Sequence, residues 1–251
     1  MLTIFLRATD CIYRWTVESH DEALRLLYET IKLDPEYAQA HALAAYCYIW
    51  RFTIGRTSDA DQIEARRLAR EAIKFGRDDG FSLAWGGMTL ATFARTIVEL
   101  REGAAFLDQS LLLNPNVARS WNLSGWVRSM LGEPDVAIEH LERAMRLSPL
   151  DFAFHVMESA TAHAHLRAGR YPEAIAWAEK SLRDQPNNVD ALAALSIANA
   201  LAGEIDNAKA AMKRLLGIAP GRRVSNYFQP YVSPERRALI GNALRMAGMP
   251  E

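Results

Sequence analysis

Four prolines recur at a nearly constant interval, and this interval constrains the fold more than any other feature of the sequence. Pro115, Pro149, Pro186 and Pro220 are 34, 37 and 34 residues apart, and each follows a run rich in leucine or alanine. Pro35 lies 80 residues before the first of them, which leaves room for two more units of this size. Because proline cannot continue a helical hydrogen-bond ladder, each is expected to end a helix. The interval predicts a stack of small units rather than one globular core.

Small residues recur in two columns ahead of these prolines. The first column lies twelve residues before each proline, or before Arg77 in the unit that lacks one, and contains only Ala or Gly. Antiparallel helices approach to about 8–10 Å only where their side chains are small, so each unit is predicted to be a helix pair. The two columns are Ala23, Ala65, Gly103, Ala137, Ala174 and Ala208, and Cys11, Ala45, Ala91, Gly125, Ala162 and Ser196.

The pattern resembles the tetratricopeptide repeat, a 34-residue helix-turn-helix that reads W-x2-L-G-x2-Y, then A-x3-F, then P. Ser124 and Arg128 depart from it in the fourth unit, where Leu and Tyr are expected. That unit otherwise fits best, through Trp121, Gly125, Ala137, Leu141 and Pro149. The resemblance implies an all-α, right-handed superhelical solenoid of about six helix pairs with a C-terminal capping helix.

The predicted solenoid covers residues 1–220 and the cap covers residues 221–251. Glycine and proline place the helix ends: Gly132 suits a left-handed cap, and Pro134 suits the first position of the next helix. In the third unit, four extra residues are expected to lengthen the first helix, which is predicted over 81–98 and followed by a second helix over 101–113. The units are approximately 1–35, 36–77, 78–115, 116–149, 150–186 and 187–220.

Two stretches resemble a narrower group, the C-terminal repeat region of bacterial class III adenylate cyclases and of related winged-helix transcriptional regulators. They are residues 118–134, which contain the run from Ala118 to Arg128, and the tail from Val224 to Glu251. This resemblance implies a sensory or partner-binding module in signalling. It implies no cyclase activity here, because the repeats account for the 251 residues.

Composition excludes several classes of function. The formal net charge is −1, and acidic residues offset the arginine pairs, so no nucleic-acid partner is expected. No apolar run approaches the roughly 18 residues that a membrane span needs, and the first residues lack a basic leader region, so a cytoplasmic location without membrane contact is expected. Cys11 and Cys47 have no metal-ligand spacing.

No catalytic, metal or cofactor site is predicted. The six histidines include no i, i+4 pair with an acidic neighbour, and His163 and His165 point to different sides of a helix. We therefore expect no enzyme activity and no cofactor.

The candidate binding surface is the concave groove, which the first helix of each pair lines in the repeats that this chain resembles. Tryptophan and arginine at these positions are the residue types that dominate interface energies, although the tryptophans could equally pack between helices. Chaperone-binding relatives hold a C-terminal carboxylate with Asn and basic residues, and the matching positions lack that set. The predicted groove residues are Tyr46, Trp50, Trp85, Arg95, Arg119, Asn122, Trp126, Ser159, His163 and Arg167.

Two functions are compatible with such a groove. One is a non-catalytic module that binds a peptide or protein, in signalling. The alternative is a regulatory domain of an adenylate cyclase-like or transcriptional-regulator system that binds a small ligand, which a closed pocket would favour over an open trough. The apolar first helix, with Phe5, Ile12 and Trp15, also predicts that the N-terminal unit docks on a second copy in a homodimer or on an upstream domain.

Overall fold

The computed structural model describes residues 1–228 and 232–251, and in these ranges the chain forms thirteen α-helices and no strand. The helices are α1 Leu2–Ile12, α2 Val17–Leu33, α3 Ala38–Thr53, α4 Asp59–Phe75, α5 Gly80–Thr92, α6 Ile97–Leu113, α7 Ala118–Leu131, α8 Pro134–Leu147, α9 Phe154–Arg167, α10 Tyr171–Asp184, α11 Val189–Ala202, α12 Ile205–Ile218 and α13 Pro234–Met246. The predicted all-α class is confirmed, with two helices in each predicted repeat.

The helices divide between two compact units. The first contains Met1–Phe52, Thr57–Ala94 and Val98–Pro115, and the second contains Thr53–Arg56, Arg95–Ile97 and Asn116–Glu251. In the second unit α7 packs on α8, α9 on α10 and α11 on α12, while α9 also contacts both α7 and α11. The first helices of these three pairs therefore lie side by side.

Small residues set the crossing of α5 and α6 in the first unit. On α5 and α6, Gly87 and Gly103 meet so closely that a methyl group on Gly103 would lie 2.6 Å from the carbonyl oxygen of Gly87. The same methyl group would lie 2.9 Å from the Cβ atom of Ala91, the residue that the small-residue columns pair with Gly103. Any larger side chain would force the two helices apart.

The second unit uses the same device at its first and last crossings. A methyl group on Gly125 of α7 would lie 2.6 Å from the Leu141 side chain and 3.1 Å from the carbonyl oxygen of Ala137 on α8. At the α11–α12 crossing the Ser196 hydroxyl donates a hydrogen bond of 3.0 Å to the carbonyl oxygen of Ala208. These contacts confirm the pairing of the two columns in the third, fourth and sixth units.

The end of α7 confirms the predicted left-handed cap. Gly132 has φ of 82°, a conformation that glycine adopts without a Cβ clash. The Glu133 N–H donates to the Arg128 carbonyl oxygen at 3.0 Å, so the last turn keeps its hydrogen bonds. Pro134 then begins α8 at a position where a missing N–H costs nothing.

The extra residues of the third unit extend the start of its first helix as expected, since α5 begins eleven residues before Ala91 whereas α7 begins only seven before Gly125. The predicted boundary between its two helices was wrong. Helix α5 ends at Thr92 instead of residue 98, and α6 begins at Ile97 instead of residue 101. A side chain from another helix explains the early stop. Arg66 of α4 donates to the Phe93 carbonyl oxygen at 3.0 Å and pairs with Glu99 of α6 at 2.7 Å.

The last helix, α13, returns to the repeats of the second unit. Helix α13 packs against α11 and α12, and the Val224 N–H donates to the Pro250 carbonyl oxygen at 2.8 Å. Arg222 is buried, and its Nε donates to the Thr53 carbonyl oxygen at 2.7 Å. Beside this bond, a methyl group on Gly221 would lie 2.5 Å from the carbonyl oxygen of Gly55.

Helix α1 buries Phe5 and Ile12, and the Phe5 ring packs edge-on against Tyr37 with centroids 5.0 Å apart. The apolar side chains exposed on α1, and on the residue directly after it, are instead Leu2, Leu6 and Tyr13. These three residues, rather than Phe5 and Ile12, would form a homodimer interface.

We predict that Ala137→Leu lowers the free energy of unfolding by about 1–3 kcal/mol, because Ala137 is fully buried at a crossing without room for a larger side chain. Denaturant titration followed by circular dichroism measures the change. Val136→Leu, at an exposed neighbouring position, is the control and should change little. Equal stability of the wild type and Ala137→Leu would contradict the packing described above.

We also predict that the chain dimerises through α1 and that Leu6→Glu dissociates the dimer, because a charge would enter an apolar contact. Light scattering after size-exclusion chromatography gives the mass. Leu112→Glu alters a leucine that is exposed on α6 and should leave the dimer intact. A monomeric wild type across a range of concentrations would refute this interface.

Candidate functional site

An aromatic cluster in the first unit brings three of the predicted groove residues together. Tyr46 packs against Trp85 with ring centroids 4.5 Å apart, and Trp50 stacks on His20 at 3.9 Å with only 12° between the planes. Trp85 is 9% exposed and belongs to the core, whereas Tyr46 and Trp50 are half-buried. Sequence reasoning missed His20, which lies on the second helix of its pair.

Burial controls the chemistry of His20. Its Nδ1 lies 3.1 Å from the Thr16 carbonyl oxygen, and a carbonyl can only accept, so Nδ1 carries the proton. Its Nε2 is buried and has no hydrogen-bond partner in the described chain. Because the charged form would lose its hydration, burial lowers the pKa of His20 to about 4, and the ring is neutral at pH 7.

A second group of predicted residues meets on α7 and α9. The rings of Trp126 and His163 lie 5.1 Å apart, and Trp126 also packs on the core cluster that contains Ala160 and Ala164. Trp126 is half-buried, so it is both a core residue and part of the surface. We call the face that carries Arg119, Trp126, His163 and Arg167 the first-helix face.

His163 is held in one orientation. Its Nε2 lies 3.0 Å from the Asp190 carbonyl oxygen on α11 and therefore donates to it. Removal of the ring from water lowers the pKa of His163 to about 4, and the neighbouring arginines act in the same direction. His163 is consequently a neutral group at pH 7 whose Nδ1 is an acceptor.

A pocket of about 60 Å³ opens beside His163. Helices α9 and α11 form one wall, and Tyr227, Phe228 and side chains from residues 232–240 form the other. Sequence reasoning assigned those later residues to a cap and missed their part in the pocket. The adjacent aromatic residues Tyr227 and Phe228, followed by Arg236, could have indicated it. The lining residues are His163, Leu166, Arg167, Ile197, Tyr227, Phe228, Val232, Arg236 and Ile240.

The pocket is electropositive. Burial, together with the charge of Arg167, lowers the pKa of Arg236 to about 10, so both guanidinium groups are protonated at pH 7. Arg222 lies nearby, with its guanidinium 5.3 Å from the centre of the Tyr227 ring. Burial raises the pKa of the Tyr227 hydroxyl, which therefore keeps its proton and can donate.

The other predicted residues lie elsewhere. Arg119 is half-buried and pairs with Asp151 at 3.9 Å, and Arg95 is exposed. Asn122 is fully buried, and neither atom of its amide has a hydrogen-bond partner among the described residues. The buried Ser159 hydroxyl donates to the Val156 carbonyl oxygen at 3.0 Å, which closes a bond within α9.

In the described ranges, no three His, Cys, Asp or Glu side chains are arranged to hold a metal ion. The same ranges contain no helix that is both long enough and apolar enough to cross a bilayer.

We predict that acid destabilises the fold partly through His20. The unfolded chain binds a proton there below about pH 6.5, whereas the folded chain does so only near pH 4, so stability falls as the pH drops through this window. His20→Phe keeps a ring against Trp50 and removes the proton. Between pH 7.5 and pH 4 the wild type should lose about 3 kcal/mol more unfolding free energy than His20→Phe in denaturant titrations. Parallel losses in both proteins would contradict a buried neutral His20.

Two family models match the sequence, both described as tetratricopeptide repeat. One covers residues 118–149 and the other covers residues 159–223. No curated protein matches the sequence.

Solved structures with the same architecture cover most of the chain. A chain of the APC/C hetero-tetramer Cut9–Hcn1 aligns with 96% of this chain and 42% of its own length, at 16% identity and a TM-score of 0.63. TTC0263, a thermophilic TPR protein of Thermus thermophilus, aligns with 76% of this chain and 96% of its own length, at 20% identity and a TM-score of 0.57. A chain of the human IFIT1 dimer with m7Gppp-AAAA aligns with 80% of this chain and 46% of its own length, at 15% identity and a TM-score of 0.66.

The chain thus spans less than half of the length of two of these three neighbours, and at such identities the likeness concerns the fold alone. The family models and the helix-pair architecture agree: residues 118–149 and 159–223 of this chain are tetratricopeptide repeats.

Proposed function

We propose that this chain is a non-catalytic module that binds a peptide or protein on the first-helix face of its second unit, in a signalling pathway. The observation that carries the proposal is the Trp126–His163 pair, which leaves a half-exposed aromatic surface beside Arg167. Aromatic and arginine side chains that are partly buried in the free protein lose little conformational freedom when a partner covers them.

The positive side chains beside the first-helix face favour a partner that carries acidic groups. His163 is neutral, and Arg167 and Arg236 line the adjoining pocket. A partner segment that rests apolar groups on Trp126 and directs a carboxylate toward Arg167 would complement both features. The repeat architecture supports the general role, because stacked helix pairs form extended binding surfaces.

Sensing of a small ligand is the second candidate, and the pocket beside His163 favours it. The resemblance to the repeat regions of adenylate cyclases and winged-helix regulators would place such a ligand upstream of a catalytic or DNA-binding partner. A ligand confined to the pocket needs no contact with Trp126, so the two functions separate experimentally.

We predict that Trp126→Ala weakens peptide binding at least about tenfold, the effect typical of an aromatic hot spot. Random 12-residue peptides displayed on phage would be selected against the wild type, and the dissociation constant of a selected peptide would be measured by fluorescence polarisation. If no peptide is enriched, the proposed function is wrong.

Trp121→Ala is the matched control. Trp121 is a half-buried tryptophan on the same helix, about 140° around its axis from Trp126, and its ring packs edge-on against His140 of α8. It should retain peptide binding, with melting temperatures showing that both variants are folded. Equal losses in the two variants would mean that the first-helix face is not the binding surface.

A further inference from the structure

Residues 221–228, which follow α12 and which we call the strap, reach the first-helix face of the second unit. Within the strap, Tyr227 lines the same pocket as His163 and Leu166 of α9 and Ile197 of α11. His163 is one of the residues that define the first-helix face. The strap therefore takes up part of the surface that the proposed function assigns to a partner.

Arg222 of the strap complements the same two helices in charge. Burial raises the pKa of the Asp190 carboxyl group on α11, and the positive charge of Arg222 opposes that rise. The charge of Arg222 also acts on His163 of α9, and its guanidinium lies 5.3 Å from the centre of the Tyr227 ring. An arginine and a tyrosine, two of the residue types that dominate protein interfaces, thus lie beside α9 and α11 as they would in a bound peptide.

The strap is attached to the second unit through its first two residues. Arg222 is 7% exposed, and its Nε donates to the Thr53 carbonyl oxygen at 2.7 Å. A methyl group on Gly221 would lie 2.5 Å from the carbonyl oxygen of Gly55, so only glycine fits there. Thr53 and Gly55 belong to the same unit as the strap, and they form its attachment point.

Several other hydrogen bonds of the strap lie within it or join it to the end of the chain. The Asn226 side chain donates from Nδ2 to the Gly221 carbonyl oxygen at 2.8 Å, and its Oδ1 accepts from the Arg223 N–H at 2.9 Å. The Val224 N–H donates to the Pro250 carbonyl oxygen at 2.8 Å. None of these three bonds involves α9 or α11, so the strap can leave the first-helix face without breaking them.

We propose that the strap is an autoinhibitory segment, which occupies the first-helix face at α9 and α11 and which a peptide or protein partner must displace. This inference rests on the proposed function, because inhibition presupposes a partner for that face. A change that releases the strap increases the fraction of molecules with an open face, and the apparent affinity for a partner rises with that fraction. The attachment point at Thr53 and Gly55 then controls how strongly the partner binds.

The test uses two variants that loosen the strap in different ways, each with a matched control. Gly221→Ala places a methyl group against the Gly55 backbone, whereas Gly217→Ala, on α12, places one in open space. Arg222→Gln removes the buried guanidinium. Arg223→Gln removes the same charge from the next residue, whose guanidinium bonds the carbonyl oxygens one and three residues before it.

The binding measurement uses the peptide selected against the wild type and a second peptide selected in the same way against Gly221→Ala. Fluorescence polarisation gives the dissociation constant of each peptide for every protein, and melting temperatures show that each protein is folded. We expect Gly221→Ala and Arg222→Gln to bind at least about fivefold more tightly than the wild type, and both controls to bind within about twofold of it. A purely structural strap would leave the constants unchanged or weaken binding, because lost packing creates no binding surface.

The two ways in which this experiment can fail are distinct. Equal dissociation constants in the wild type, Gly221→Ala and Arg222→Gln would overturn the inhibition and leave the proposed function standing. If neither selection enriches a peptide, the proposed function fails and the inhibition fails with it. If Gly221→Ala does not fold, Arg222→Gln replaces it in the selection and decides the outcome.

Discussion

Close contact between helix backbones is the constraint on which the rest of this structure depends. Where Gly87 meets Gly103, or Gly125 meets the backbone of Ala137 and the side chain of Leu141, the atoms are already so close that one added methyl group would crowd them. Such contacts fix where each helix of a pair crosses the other. They therefore also fix which residues of the first helix turn inward and which reach the surface that carries Trp126 and Arg167.

The two binding surfaces differ in what the protein supplies. The first-helix face offers a tryptophan already seated on the alanines of α9, so a partner meets a nearly rigid surface. The pocket beside His163 instead places Arg167 and Arg236 next to the apolar side chains of Leu166 and Ile197. His163 belongs to both, and because it is neutral at pH 7 it adds shape and an acceptor without adding charge.

The local pattern predicts this fold well wherever the repeats are regular. Helices α7, α8 and α11 occupy the predicted residues, because glycine, proline and alanine act within their own unit. The end of α5 could not be predicted in this way, since Arg66 captures the Phe93 carbonyl from another helix. The pocket could not be predicted for a similar reason. The repeat pattern ends at Pro220, so the pattern does not place Tyr227 or Arg236 beside α9. Counting positions along the repeat likewise assigned Asn122 to the groove, because such a count does not reveal that this side chain is fully buried.

The hydrogen bond from Arg222 to Thr53 has a kinetic consequence. A stack of helix pairs is built from contacts close in sequence, which form quickly and in any order. This bond instead joins residues 169 positions apart, and Gly55 and Gly221 approach each other beside it. Closing so long a loop costs entropy before any contact compensates it. Docking of the Gly221–Arg222 segment is therefore expected to be a late, separate step in folding, and the pocket wall that follows it along the chain would be completed only then.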